Sequence, residues 1–216
     1  MEEDWDYLII LDACRYDTFK KINRIEGELH KKKSLGSATP EWLIENFKGK
    51  KLDDVIYVSG NPFSSSEKFV GFKPENNFLQ VIGVWDKGWH KNLGTVSAEE
   101  VTKAALETLK QYPDKRIIIH YMQPHSPFLG KTDVELDRNY PGLIFGDISI
   151  ERVMKAYEDN LKYVLKEVKK VLKHLDGNIV ITSDHGTLFG ERGLYFHIPN
   201  IRMDEINDVP WLEIRK

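Results

Sequence analysis

Three short aliphatic runs, each closed by a chemically capable side chain, constrain this chain more than any other feature. Tyr7-Leu8-Ile9-Ile10-Leu11 leads into Asp12, Arg116-Ile117-Ile118-Ile119 into His120, and Asn178-Ile179-Val180-Ile181-Thr182 into Ser183-Asp184-His185-Gly186. Apolar, β-branched runs this short, without polar alternation, read as strands buried on both faces, the pattern of a parallel sheet sandwiched by helices. Helical patterns separate them. Predicted helices lie near Arg15 to Ile22, Pro40 to Phe47 and Ala98 to Tyr112, the last with Ser97 as cap and Val101, Ala104, Ala105, Thr108 and Leu109 on one face. The longest begins at Ser149, carries Met154, Tyr157, Leu161, Val164, Val168, Val171 and Leu175 at three- and four-residue steps, and is expected to stop at Gly177. Further strands are expected over 55–59 and 79–84. With no internal repeat and 216 residues, 41% of them apolar, the prediction is one α/β domain over 1–216: three layers, α/β/α, around a mainly parallel central sheet.

In such sheets ligands bind at the carboxyl ends of the strands. If the first and late strands are neighbours, Asp12 and Asp184 project from one edge and can share a cation, with His185 adding an imidazole nitrogen and His197 returning to the same place. The same residues also have plain structural readings. Ser183 to Gly186 suits a polar turn, and Asp12 suits a helix cap. Thr39-Pro40-Glu41 reads as a helix start with Thr39 at the N-cap, yet a helix start also favours an anion, so the Thr39 hydroxyl could sit beside a bound phosphate or sulfate. Ser37 is the competing hydroxyl. Arg15 offers either a fork of donors for that anion or an ion pair with Asp17.

Asp12, Thr39, Asp184, His185 and His197, in that order, resemble the alkaline phosphatase superfamily, and most closely its sulfatase-like and phosphoethanolamine-transferase-like branches. The likeness is carried by Ser183-Asp184-His185-Gly186, by Gly190-Glu191-Arg192-Gly193-Leu194-Tyr195 followed by His197, and by the D-x-x-R-x-D opening at Asp12-Ala13-Cys14-Arg15-Tyr16-Asp17. Gly36 to Trp42 matches by order and by its helix start, and Val209-Pro210-Trp211 resembles a closing V-P-x strand. The resemblance implies Asp12, Asp184, His185 and His197 as metal ligands and Thr39 as nucleophile. His120-Tyr121-Met122-Gln123-Pro124-His125-Ser126-Pro127-Phe128 resembles the sulfatase-like H-Y-x-x-P-H-x-P-[FY] segment, implying a catalytic or anion-binding role for His125. Arg15 and Ser37 are the further substrate-binding candidates, whereas His120 is read as a strand residue with a satisfied hydrogen bond.

The departures matter equally. No C-x-P-x-R or S-x-P-x-R pentapeptide of the formylglycine sulfatases occurs, and the lone Cys14 reads as a small buried residue. Ala13 stands where arylsulfatases place a second Asp. No acid lies four residues before His125, so one firmly held divalent ion is expected, with His125 and His197 binding the anion, protonating the leaving group or holding a weaker second ion. His185, where those sulfatases carry Asn, favours zinc or manganese over magnesium or calcium.

A net charge of −3, with Lys31-Lys32-Lys33 as a short basic run, offers no track for nucleic acid. No apolar stretch approaches the roughly 18 residues of a membrane span. A single cysteine and no leader pattern before Trp5 predict a cytoplasmic protein. The expected activity is metal-dependent hydrolysis or transfer of phosphate or sulfate esters, with a small-molecule, lipid-headgroup or glycan ester as partner. A sulfatase without formylglycine and a non-catalytic metal- or anion-binding domain of the same fold are the alternatives. Pro124 to Gly146 is expected to form a lid or rim. Asn61 to Ser66 and the Trp85, Trp89 and His90 group are further candidate walls, each of a kind that is more often ordinary surface or packing than substrate contact.

Overall fold

The computed structural model describes residues 4–65, 71, 73–132 and 149–216. The three aliphatic runs are β1 (Tyr7–Leu11), β7 (Arg116–Tyr121) and β8 (Asn178–Thr182). Four more strands join them: β2 (Glu28–Lys33), β3 (Leu52–Ser59), β4 (Phe78–Gly83) and β11 (Asp208–Arg215). The seven lie in the order β2-β11-β8-β1-β7-β3-β4. β8, β1, β7, β3 and β4 run parallel, and β11 is antiparallel to both β8 and β2. β1 therefore sits at the centre, between β7 and β8, and the ends of those three strands share one edge.

Alternation along β1 shows why these runs carry so few polar residues. Tyr7, Ile9 and Leu11 point into one apolar layer with Ile117, Ile119, Ile179 and Ile181, under α1 (Tyr16–Ile22), α3 (Ala98–Gln111) and α4 (Ile150–Leu172). Leu8 and Ile10 point the other way, with Tyr57, Ile118 and Val180, under Trp42, Leu43 and Phe47 of α2 (Thr39–Phe47). Both faces are covered, so each strand is apolar on both sides, and burying each such side chain contributes about 1.5–3 kcal/mol. The three-layer α/β fold with a mainly parallel sheet is as the sequence implies.

Several boundaries differ. Ala38, not Thr39, is the N-cap of α2, making Thr39 its first helical residue with Pro40 next; the Thr39 hydroxyl is thereby spared for other contacts. Arg15 is the N-cap residue of α1, with no side-chain cap, so Asp12 does not serve that role. Ser149 accepts from Arg152 N as the N-cap of α4, but the helix ends at Leu172, short of Gly177, whose φ of 115° instead turns the chain into β8. The Lys31 to Lys33 run lies on edge strand β2, where Lys31 and Lys33 pair with Asp208. Two small hairpins, β5 (Trp89–His90) with β6 (Thr95–Val96) and β9 (Leu188–Phe189) with β10 (Tyr195–Phe196), complete the described strands. Residues 133–146 of the expected lid, and Ser66, lie outside the described residues.

Candidate active site

The carboxyl ends of β1 and β8 deliver Asp12 and Asp184 to one place, as neighbouring parallel strands must. Asp12, Asp184 and His185 each place one ligand atom within 4.8 Å of the others, and all three are buried. His185 Nε2 lies 3.6 Å from Asp12 Oδ1 and 3.5 Å from Asp184 Oδ2. Its other nitrogen, Nδ1, is 2.7 Å from the Gly186 carbonyl oxygen. A carbonyl only accepts, so Nδ1 carries the proton and Nε2 turns a bare lone pair towards the two carboxylates.

Local backbone geometry builds this cluster. Gly186 N donates to Ile206 O at 2.6 Å, and a Cβ at Gly186 would stand 2.1 Å from the Glu205 carbonyl oxygen, so only glycine fits after His185. Asp184 Oδ1 accepts from Ala13 N at 3.1 Å and from His185 N at 2.9 Å. Ala13 itself has a φ of 59°, a left-handed conformation uncommon outside glycine, held where the strand end turns over the site. Ser183 Oγ donates to the Leu11 carbonyl and accepts from Cys14 N, tying the two strand ends together.

Thr39 reaches the same point from α2. Its Oγ1 donates to Asp184 Oδ2 at 2.7 Å. Asn61, just beyond β3, donates to Asp12 Oδ2 at 2.7 Å and, more distantly, to Thr39 Oγ1 at 3.3 Å. Ser37 is directed elsewhere: its hydroxyl and its backbone N–H both donate to Glu41 Oε2, at 2.6 and 2.7 Å. Arg15 likewise is occupied. It donates to both carboxylate oxygens of Asp17, to Glu191 Oε1 at 2.6 Å and to the Thr187 carbonyl, which pins the Gly190 to Tyr195 segment against the first strand end. Of the two sequence readings of Arg15, the structure displays the ion pair.

His125 and His197 complete a histidine group. The His197 ring lies 4.5 Å from that of His185 and 5.1 Å from that of His125, centroid to centroid. His125 is anchored through its backbone, its N–H donating to the Asp12 carbonyl and its own carbonyl accepting from Asn160 Nδ2. Phe196, with a φ of 65°, turns the chain that delivers His197.

The electrostatics are those of two carboxylates and several imidazoles crowded out of water. Burial and the Asp184 carboxylate push Asp12 well above the usual carboxylate range. Asp184 is held below its ordinary value: burial opposes ionisation, but His185, His120 and the Thr39 hydrogen bond outweigh it. Burial and the neighbouring imidazoles depress His197 to about 2, and burial with His185 lowers His125, so these rings are neutral near pH 7. Neutral imidazole is the ligand form. Asp12 Oδ1 and His185 Nε2 are buried without a hydrogen-bond partner among the described residues. Two orphaned acceptors beside two close carboxylates fit a divalent cation, and two oxygens plus one imidazole nitrogen suit zinc or manganese.

Two residues at the site escape sequence reading. Asn61 is buried and contacts both Asp12 and Thr39, although its loop reads as ordinary polar surface; β3 ends at the same carboxyl edge, which was the available signal. His120, expected to be a satisfied strand residue, is satisfied on one side only. Its Nδ1 pairs with the Tyr57 hydroxyl at 2.7 Å, but its buried Nε2 has no partner among the described residues and faces Asp184 Oδ2 at 3.9 Å.

Comparison with known proteins agrees with this architecture. The soluble domain of lipooligosaccharide phosphoethanolamine transferase A from Neisseria meningitidis superposes with a TM-score of 0.66 at 16% identity, covering 96% of this chain and 75% of that one. The C-terminal periplasmic domain of phosphoethanolamine transferase EptC from Campylobacter jejuni gives 0.66 at 19% identity, covering 96% and 78%. The zinc complex of the C-terminal periplasmic domain of EptC from Escherichia coli gives 0.61 at 13% identity, covering 96% and 71%. No curated protein sequence gives a significant match. The two EptC neighbours are periplasmic domains, which contradicts the expectation of a cytoplasmic protein drawn from the sequence. A single cysteine excludes an internal disulfide but does not identify a compartment. No described helix is long and apolar enough to cross a membrane. The family model named Sulfatase matches residues 38–205, a span that holds Thr39, Asn61, His125, Asp184, His185 and His197. The chain belongs to the sulfatase family of the alkaline phosphatase superfamily.

Proposed function

We propose that this protein is a metal-dependent enzyme of phosphate-ester transfer or hydrolysis in which Thr39 is the nucleophile. One observation carries the reading: the Thr39 hydroxyl is hydrogen-bonded to the carboxylate that also faces the orphaned nitrogen of His185. Asp12, Asp184 and His185 would hold the cation, zinc or manganese by donor type. When bound, a divalent ion polarises the ester oxygen and lowers the pKa of a neighbouring hydroxyl.

The chain's own residues account for the remaining steps. Asp184 Oδ2, already accepting the Thr39 proton, takes it as Thr39 Oγ1 forms a bond to phosphorus and the ester P–O bond breaks. Asn61 steers the hydroxyl by donating to its oxygen, leaving the Thr39 proton directed at Asp184. His125 or His197 protonates the departing alcohol. Both are neutral in the free site, and the negative charge of a bound ester raises them towards the range a general acid needs. A water or a second alcohol, losing its proton to that now neutral histidine, then attacks the phosphothreonine, and Thr39 leaves with the proton held on Asp184. The substrate class is a small-molecule, lipid-headgroup or glycan ester; the names of the phosphoethanolamine transferases favour the headgroup.

A sulfate ester is the second reading, favoured by the family's name and by a site that takes any tetrahedral anion. Parallel assays of an aryl phosphate, a phosphodiester and an aryl sulfate, on protein of known metal content, separate the two. Turnover of none of them by metal-loaded protein would reject both.

A further inference from the structure

The His120 ring is held from behind by a side chain, whereas His125 and His185 each turn Nδ1 to a backbone carbonyl. His120 lies in β7 level with Ile10 of β1 and Ser59 of β3, fully buried, on the face covered by α2. Tyr57 lies beside it with the ring planes 5° from parallel, centroids 6.1 Å apart and hydroxyl 2.7 Å from Nδ1, and Trp42 meets it edge-on at 6.1 Å. The packing leaves the ring one orientation, with Nε2 towards Asp184. Yet Nε2 is not among the three mutually close ligand atoms of Asp12, Asp184 and His185.

The Tyr57 hydroxyl decides which nitrogen carries the proton. Its single hydrogen-bond partner among the described residues is His120. Were Nδ1 protonated, it would donate to Tyr57, the phenolic proton would lack an acceptor, and a bare Nε2 would face the Asp184 carboxylate. With Tyr57 as donor, Nδ1 accepts, the phenol is satisfied and Nε2–H points into the site. Burial, Asp184 and Asp12 all hold the Tyr57 phenol well above its ordinary range, so it keeps its proton to donate.

We propose that His120, fixed by Tyr57 as the Nε2–H tautomer, donates a hydrogen bond to an oxygen of the bound tetrahedral anion. The inference rests on the ester reading above and deepens it. Two histidines divide the labour: His185 presents a lone pair to the cation because a carbonyl accepts from its Nδ1–H, while His120 presents a proton to the anion because a phenol donates to its Nδ1. His120 is then a catalytic residue in contact with substrate, and Tyr57 is a positioning residue acting through it.

The test is long-range proton–nitrogen NMR on metal-loaded protein labelled at histidine, with inorganic phosphate as the probe. Wild-type His120 is expected as the Nε2–H tautomer, with that proton shifting downfield when phosphate binds. Tyr57→Phe should mix the tautomers and weaken phosphate binding, by about tenfold for one lost hydrogen bond. His120→Gln, whose amide nitrogen can stand at the Nε2 position, should restore most of the affinity, whereas His120→Asn, which places its amide at the Nδ1 position, should not. An Nδ1–H tautomer in the wild type, or equal phosphate affinity in the Gln and Asn variants, would overturn the proposal. Should Thr39→Ala keep full turnover, the ester reading falls while the tautomer stands; an Nδ1–H tautomer alongside an inactive Thr39→Ala removes the present inference alone.

Discussion

Replacing Asp184 with Asn changes almost no atoms and removes the charge on which the candidate metal site depends. Asn keeps one carbonyl oxygen to accept from Ala13 N and His185 N, so the strand ends remain tied. Its amide NH₂ replaces the oxygen that faces Thr39 and His185, and an amide nitrogen does not bind a cation. The metal-free variant should be at least as stable as the metal-free wild type, because the carboxylate that helps push Asp12 upward is gone. The difference appears on adding zinc. A ligand at 1,000 times its Kd stabilises the folded state by about 4.1 kcal/mol, which for a chain of this length corresponds to roughly 8–16 °C in Tm. Thermal unfolding with and without zinc should therefore show a wild-type rise of that order and almost none for Asp184→Asn. An equal rise in both proteins would refute the ligand assignment.

Thr39→Ala should keep metal and fold at a cost of about 1 kcal/mol for one buried hydrogen bond, since Ala38 and not Thr39 is the N-cap, while turnover falls by several orders of magnitude. Ser37→Ala should lose comparable stability through the Glu41 contact yet retain turnover; the reverse pattern would move the nucleophile to Ser37. Glu191→Gln weakens the pair with mostly buried Arg15 and should lower stability by roughly 1–3 kcal/mol without removing the metal, as read by Tm and elemental analysis. Metal-free protein should lose stability on acidification. His120, His125 and His197 stay neutral in the folded state below their ordinary value of 6.5, whereas the unfolded chain takes up those protons, so Tm falls as pH drops from 7 towards 5. The slope should flatten in His197→Gln, and an unchanged slope would show that this imidazole is not depressed.

What the sequence makes legible follows from strand periodicity. Unbroken aliphatic runs at Tyr7, Ile117 and Ile179 imply a parallel sheet with both faces covered, and the ends of adjacent parallel strands must coincide, which brings Asp12 to Asp184. Contacts that depend on long-range pairing do not announce themselves. Arg15 lies 176 positions from Glu191, and nothing local says whether its guanidinium holds an anion or a carboxylate. Asn61 and His120 were hidden for a different reason: each has a sufficient local explanation, a polar loop or a strand position, that is true as far as it goes. A polar imidazole within Ile117-Ile118-Ile119 is costly unless both nitrogens find partners, and only three-dimensional packing reveals that one does not. The compartment is not written in composition, because a single cysteine excludes an internal disulfide and says nothing more.

The central claim is that Thr39 becomes covalently modified. Metal-loaded protein mixed with a slowly resolved aryl phosphodiester, quenched in acid and analysed by intact and tandem mass spectrometry, is expected to carry one phosphoryl-containing adduct at Thr39. Asp184→Asn should carry none. Turnover without an adduct at Thr39, or an adduct on Ser37 or a histidine, would contradict the account.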